Sequence, residues 1–154
     1  MSITDWIKDE PNELSEHTSA KCAEHGCKLA VDGIQRCVIL KAEELPSSEG
    51  KMCDCIVFWE SQKLVIAAVE LKSKATHASG IHEQVQNGCL KASEIVRSYR
   101  GKTLARDWYP AILAKHWRSK ERDVLKRKSI LVDGMKLPII AKPCGTHLKE
   151  LVED

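Results

Sequence analysis

Three charged residues lie inside apolar runs of this chain. Asp54 interrupts Cys53-Asp54-Cys55-Ile56-Val57-Phe58-Trp59, and Glu70 and Lys72 close the run Leu64-Val65-Ile66-Ala67-Ala68-Val69-Glu70-Leu71-Lys72. Burying an unpaired carboxylate or ammonium costs several kcal/mol or forces the group to neutralise. Three such groups in one place are therefore expected to hold each other, or to hold a metal. The runs are separated by Glu60-Ser61-Gln62-Lys63, the polar break of a β-hairpin. Side chains alternate along a strand, so Glu70 and Lys72 share a face, and Asp54 joins them only in one parity of hairpin register. A turn centred on Gln62 meets that condition, because Asp54 and Glu70 each lie eight residues from it. Two carboxylates set opposite each other repel unless a cation lies between them, and hard oxygen donors select Mg²⁺ or Mn²⁺ over zinc. Lys72 would then orient or help deprotonate an attacking water, or stabilise the charge on a phosphate as it is cleaved. The competing reading is an ion pair of Lys72 with Glu70 or Asp54 and no metal.

Asp54, an apolar run, and Glu70-Leu71-Lys72 at the end of an apolar strand resemble the PD-(D/E)XK nuclease core of restriction endonucleases and archaeal Holliday-junction resolvases. The resemblance covers roughly residues 12–115. It implies that Asp54 and Glu70 bind the metal with the backbone carbonyl of Leu71, and that Lys72 is the catalytic lysine. Gln84, in Glu83-Gln84, is similar in position to a glutamine that some members place near the active site; the alternative is a merely exposed side chain. Members often supply a further acid from the first helix, and Glu13, Glu16 and Glu24 compete for that role. Cys53 stands where the family often has proline, a position that is not a ligand. The family also contains inactive members, so the alternative to a nuclease is a module of the same fold that binds nucleic acid or protein.

Stepping outward, residues 12–28 read as a weak first helix with Leu14, Thr18 and Cys22 on a stripe. Asp32-Gly33 is a turn, residues 34–40 a strand, and Pro46-Ser47-Ser48-Glu49-Gly50 a break. Both faces of residues 64–69 are apolar, as in a central strand covered on both sides. Ile81, Val85, Cys89, Ala92, Ile95, Val96 and Tyr99 recur at helical spacing and predict an amphipathic helix over residues 80–99. Residues 109–114 read as a further strand. Ser129-Ile130-Leu131-Val132 and Leu137-Pro138-Ile139-Ile140-Ala141, across Asp133-Gly134, predict a terminal hairpin, and Cys144-Gly145 a turn into a short tail helix. The expected fold is one α/β domain over residues 1–154: a restriction endonuclease-like mixed β-sheet flanked by helices, with an added C-terminal β-hairpin.

The net charge of +2 conceals an asymmetry. Residues 1–60 hold twelve acids against six bases, while residues 115–128 hold seven cations against two anions. Those cations, Lys115, Arg118, Lys120, Arg122, Lys126, Arg127 and Lys128, with Lys74 near the site, are the candidate contacts for a polyanion: DNA first, RNA as an alternative. For a charge run by itself, a solvated surface segment is the favoured reading. His77 and His82 flank the loop after Lys74 and could touch phosphate, and Trp108, Tyr109 and Trp117 could stack on bases or pack as core.

The first ten residues show neither a basic leader nor an apolar run, and no segment nears the roughly 20 apolar residues of a membrane span. A soluble, cytoplasmic protein is expected, with no membrane partner. Seven cysteines, an odd number, argue against a secreted disulfide scaffold, so most are expected as thiols. His17, Cys22, His25, Cys27 and Cys37 crowd one region, but their spacing fits no standard zinc pattern. Concerted cutting of two DNA strands with one centre per chain would require a homodimer.

Overall fold

The computed structural model describes residues 1–45, 50–75 and 78–153. In chain order the elements are α1 (Ile3–Lys8), a 3₁₀ turn (Glu13–His17), β1 (Thr18–Ser19), β2 (Cys22–Glu24), β3 (Cys27–Leu29), β4 (Cys37–Lys41) and a second 3₁₀ turn (Ala42–Glu44). There follow β5 (Cys55–Glu60), β6 (Leu64–Ala75), α2 (Ala78–Ser98), β7 (Arg106–Trp117), α3 (Ser119–Arg127), β8 (Ser129–Val132), β9 (Met135–Pro138), β10 (Ile140–Pro143) and α4 (Leu148–Val152).

Six strands form one mixed sheet in the order β1-β4-β5-β6-β7-β10. β4, β5 and β6 make an antiparallel meander; α2 then crosses over to β7, which runs parallel to β6. β6 is central, as its two apolar faces require. Ile56, Phe58, Leu64, Ile66, Ala68 and Ile112 pack on one face against α2 and α1. Val57, Ala67, Val69, Leu71, Ala111 and Leu113 pack on the other, beneath the β2–β3 hairpin and α4. The amphipathic periodicity of α2 is realised: Ile81, Val85, Cys89, Ala92, Ile95 and Val96 are all buried. Gly88 lets the helix approach, since a Cβ there would stand 2.4 Å from Cys53 Sγ and 3.1 Å from Ala68 Cβ.

The helix expected over residues 12–28 does not form. A 3₁₀ turn is followed by a short edge strand and the β2–β3 hairpin, in which Cys22, Cys27 and Leu29 point into the core at strand parity. Its connection uses positive φ at both His25 (54°) and Gly26 (69°), the primed turn that matches strand twist. β4 starts at Cys37 rather than residue 34, after Arg36 adopts a left-handed φ of 55°. The terminal hairpin is also different: β8 pairs with β9 across Asp133-Gly134 as a separate two-stranded sheet, and β10 departs to pair in parallel with β7. β9 ends at Pro138, which has no N–H to donate to a ladder. β7 extends to Trp117 and takes in the first residues of the basic segment. The Pro46 break falls on residues 46–49, outside those described. Among the described residues no helix is long and apolar enough to cross a membrane.

Candidate active site

The β5–β6 register runs from Glu60↔Leu64 to Cys55↔Val69, around a turn at residues 61–63 centred on Gln62. One step further, Asp54 stands opposite Glu70, in the parity that places both carboxylates and Lys72 on the α2 face. The backbone fixes this arrangement. Asp54 N–H donates to the Val69 carbonyl at 3.1 Å, and Glu70 Oε1 lies 3.1 Å from the same nitrogen. Leu71 N–H donates to Asp54 Oδ2 at 2.8 Å. Lys72 Nζ is 3.0 Å from Glu70 Oε2. The three predicted chemical residues are thus brought together, tied through one another and through the Leu71 amide.

Their exposure is graded. Glu70 is 2% exposed and Asp54 8%, whereas the Lys72 side chain is 30% exposed, so the ammonium forms the solvent side of the cluster. Burial, and then the neighbouring Asp54 carboxylate, push the Glu70 carboxyl up to about 8, with Lys72 opposing the rise. The two carboxylates share one ammonium, and the raised Glu70 carboxyl reflects its burial and then their mutual repulsion.

Lys74 is exposed two residues beyond Lys72, on the same strand face. Gln84 is half-buried on α2. Gly88 rests over Ala68, and α2 runs back along β6 after the crossover. One helical turn before Gly88 is Gln84, a rise of about 6 Å, close to the rise of about 6.6 Å from Ala68 to Glu70 along the strand.

Of the three acids expected from the first helix, two lie away from the site. Glu13 and Glu16 line a separate cleft of about 720 Å³ with Trp6, Leu14, Lys91 and Ile95. Glu24, at the end of β2, acts electrostatically on Glu43 beside Asp54. The acid that sequence reasoning missed is Glu43, in the turn after β4. The β4–β5 register ends at Lys41↔Cys55, and Ala42 N–H donates to the Asp54 carbonyl at 3.0 Å, which brings Glu43 beside Asp54. Glu43 is exposed at the surface yet held above its usual value by partial desolvation, then by Asp54, Glu24 and Glu44, with His25 opposing. Pairing β4 with β5 in the sequence, as was done for β5 with β6, would have pointed to it.

The basic segment divides. Lys115 reaches the opposite face of the sheet, where a Cβ on Gly26 would stand 2.7 Å from its Nζ, so it belongs to the β2–β3 hairpin rather than to the site. Arg118, Lys120, Arg122, Lys126 and Arg127 are exposed on or beside α3, and Lys128 is half-buried. α3 buries Leu125 in the α2-side core and follows β7 at the sheet end where Lys72 and Lys74 lie. Trp108 is core, 6% exposed, and the half-buried His82 bonds the Ser129 carbonyl at 2.8 Å. His77 lies outside the described residues.

The cysteines correct the expectation of mostly free thiols. Cys22 is bonded to Cys55 and Cys27 to Cys144, leaving Cys37, Cys53 and Cys89 free. The zinc alternative loses Cys22 and Cys27 to these bridges, and among the described residues no group of three or more His, Cys, Asp or Glu side chains is placed to hold a metal.

No protein-family model matches the chain, and no curated protein or solved structure matches it significantly.

Proposed function

We propose that this chain is a metal-dependent nuclease of the restriction endonuclease-like, PD-(D/E)XK type. The observation that carries the reading is the hairpin register: it sets Asp54 opposite Glu70, with Lys72 paired to Glu70 on the same face. The mixed sheet, with the meander β4-β5-β6, the α2 crossover and the parallel β7, supports that reading.

The donor set suits Mg²⁺ or Mn²⁺. These ions are held by one or two carboxylates, with waters and substrate phosphate completing the shell, so two carboxylates and a backbone carbonyl at Leu71 suffice. When bound, the ion would supply Lewis-acid polarisation of the phosphate and a water of lowered pKa. The chain's own groups do the rest. Asp54 is held in place by the Leu71 amide and Glu70 by Lys72. Lys72, on the solvent side, faces an incoming phosphate and stabilises the charge that develops there. Lys74 and the α3 cations hold the polynucleotide backbone on the same side.

The test is cleavage of single-stranded, duplex and branched DNA, and of RNA, with Mg²⁺ or Mn²⁺. Glu70→Ala should abolish it and Lys72→Ala should slow it about 10²- to 10³-fold; unchanged cleavage by both variants ends the assignment. A second reading, a nuclease-fold module that binds nucleic acid without cutting it, is favoured by the depth of Glu70 and its closure by Lys72. That module would bind DNA equally well with and without divalent metal.

A further inference from the structure

The two disulfides anchor the same hairpin but differ in access. Cys22 and Cys55 are 0% and 3% exposed, sealed between the hairpin and the sheet. The Cys27–Cys144 bridge instead borders a surface cavity of about 490 Å³, lined by Ala23, Glu24, Gly26, Lys28 and Gly145 together with the two cysteines. Within it Cys27 is 2% exposed and Cys144 is half-buried, so an incoming group meets Cys144 Sγ first.

We propose that Cys27–Cys144 is a thiol-exchange site for a small thiol entering this cavity, and that Cys22–Cys55 is an inert staple. The thiolate of the incoming molecule attacks Cys144 Sγ; a new S–S bond forms, the Cys27–Cys144 bond breaks, and Cys27 leaves as thiolate. A second small thiol then displaces Cys144, giving the oxidised small-molecule disulfide and two protein thiols. Two electrons pass to the protein per bridge, and the protons of the two small thiols end on Cys27 and Cys144.

Departure from Cys27 is favoured by its surroundings. Lys28 lines the cavity, and the Lys115 ammonium lies against Gly26, the residue before Cys27; nearby cations stabilise a thiolate. Once protonated, Cys27 has an acceptor ready, because its Sγ is 3.5 Å from the Leu113 carbonyl. Cys144 Sγ is 3.7 Å from the Lys72 carbonyl, so the exchange occurs directly behind the candidate active site. The chemistry itself does not depend on what that site does.

The experiment treats the full chain, purified without reductant, with increasing reduced glutathione, followed by alkylation and peptide mapping by mass spectrometry. The expected result is a glutathione adduct on Cys144 and an alkylated Cys27, at thiol concentrations about tenfold below those that open Cys22–Cys55. Simultaneous opening of both bridges, earlier opening of Cys22–Cys55, an adduct on Cys27 instead, or the absence of a Cys27–Cys144 bridge before treatment each overturns the proposal. Cys144→Ser keeps the buried staple and is expected to fold, with Cys27 alkylated from the start; adducts forming on Cys22 or Cys55 of that variant as readily as on wild-type Cys144 would also overturn it.

Discussion

The two faces of the β5–β6 hairpin are built from alternate residues of the same two strands, and they are held together by opposite means. Towards α2, Asp54, Glu70 and Lys72 place charge in a buried setting and satisfy it with a backbone amide and one ion pair. Towards the β2–β3 hairpin, Cys55, Val69 and Leu71 are apolar, fully packed and covalently stapled. The α2 face carries an arrangement that is unfavourable by itself, and the other face resists the displacement that would relieve it. Cys55 is bonded to Cys22 and adjoins Asp54, so the staple fixes the backbone that presents the first carboxylate.

If this division is right, variants on the two faces should separate function from stability. The largest effect is expected at Lys72: Lys72→Ala should lower the cleavage rate about 10²- to 10³-fold, as loss of one charge-stabilising group does, with a smaller loss of stability than removal of the staple, because Glu70 can take up a proton in place of the lost ammonium. On the other face, Cys22→Ala with Cys55→Ala removes a cross-link spanning 33 residues. It should cost about 3 to 4 kcal/mol in denaturant unfolding. Equal losses of activity and stability in both variants would erase the distinction between the faces. Gly88→Ala forces a methyl against Cys53 Sγ and Ala68 where α2 meets the site. About 1 to 3 kcal/mol of destabilisation is expected, measurable in the same experiment.

Smaller effects sharpen the comparison. Lys126→Gln with Arg127→Gln should weaken DNA binding at low salt and reduce the slope of log affinity against log salt by about 2. Stability of the metal-free protein should also depend on pH through Glu70. Its carboxyl is raised from the ordinary 4.5 to about 8 in the folded chain. Between those values the folded state keeps a proton the unfolded state has lost, so stability falls as pH rises through that window and levels off above it. Glu70→Gln should flatten that fall in a series of thermal unfolding curves; an unchanged pH profile would place the titration elsewhere.

What could be read in the sequence follows the same division. The α2 side was legible because its signals are local: the apolar alternation of residues 64–69, a short polar turn and the helical spacing from Ile81 to Val96 determine both elements and register. The other side was not, because its signals are distant or atypical. The primed turn places a non-glycine residue, His25, at positive φ. The cysteine pairs span 33 and 117 residues, which no local pattern encodes. Glu43 was missed for a related reason: its position depends on where β4 ends against β5. The departure of β10 from β9 depends on pairing with β7, an element twenty-odd residues upstream.

The central claim is that Asp54 and Glu70 are metal ligands and Lys72 acts on the substrate. Titration of Mn²⁺ followed by electron paramagnetic resonance separates these roles in one measurement on wild type, Glu70→Gln and Lys72→Ala. Stoichiometric Mn²⁺ binding is expected of wild type, with its loss in Glu70→Gln and its retention in Lys72→Ala. Absence of specific binding in wild type, or identical binding in wild type and Glu70→Gln, would contradict it.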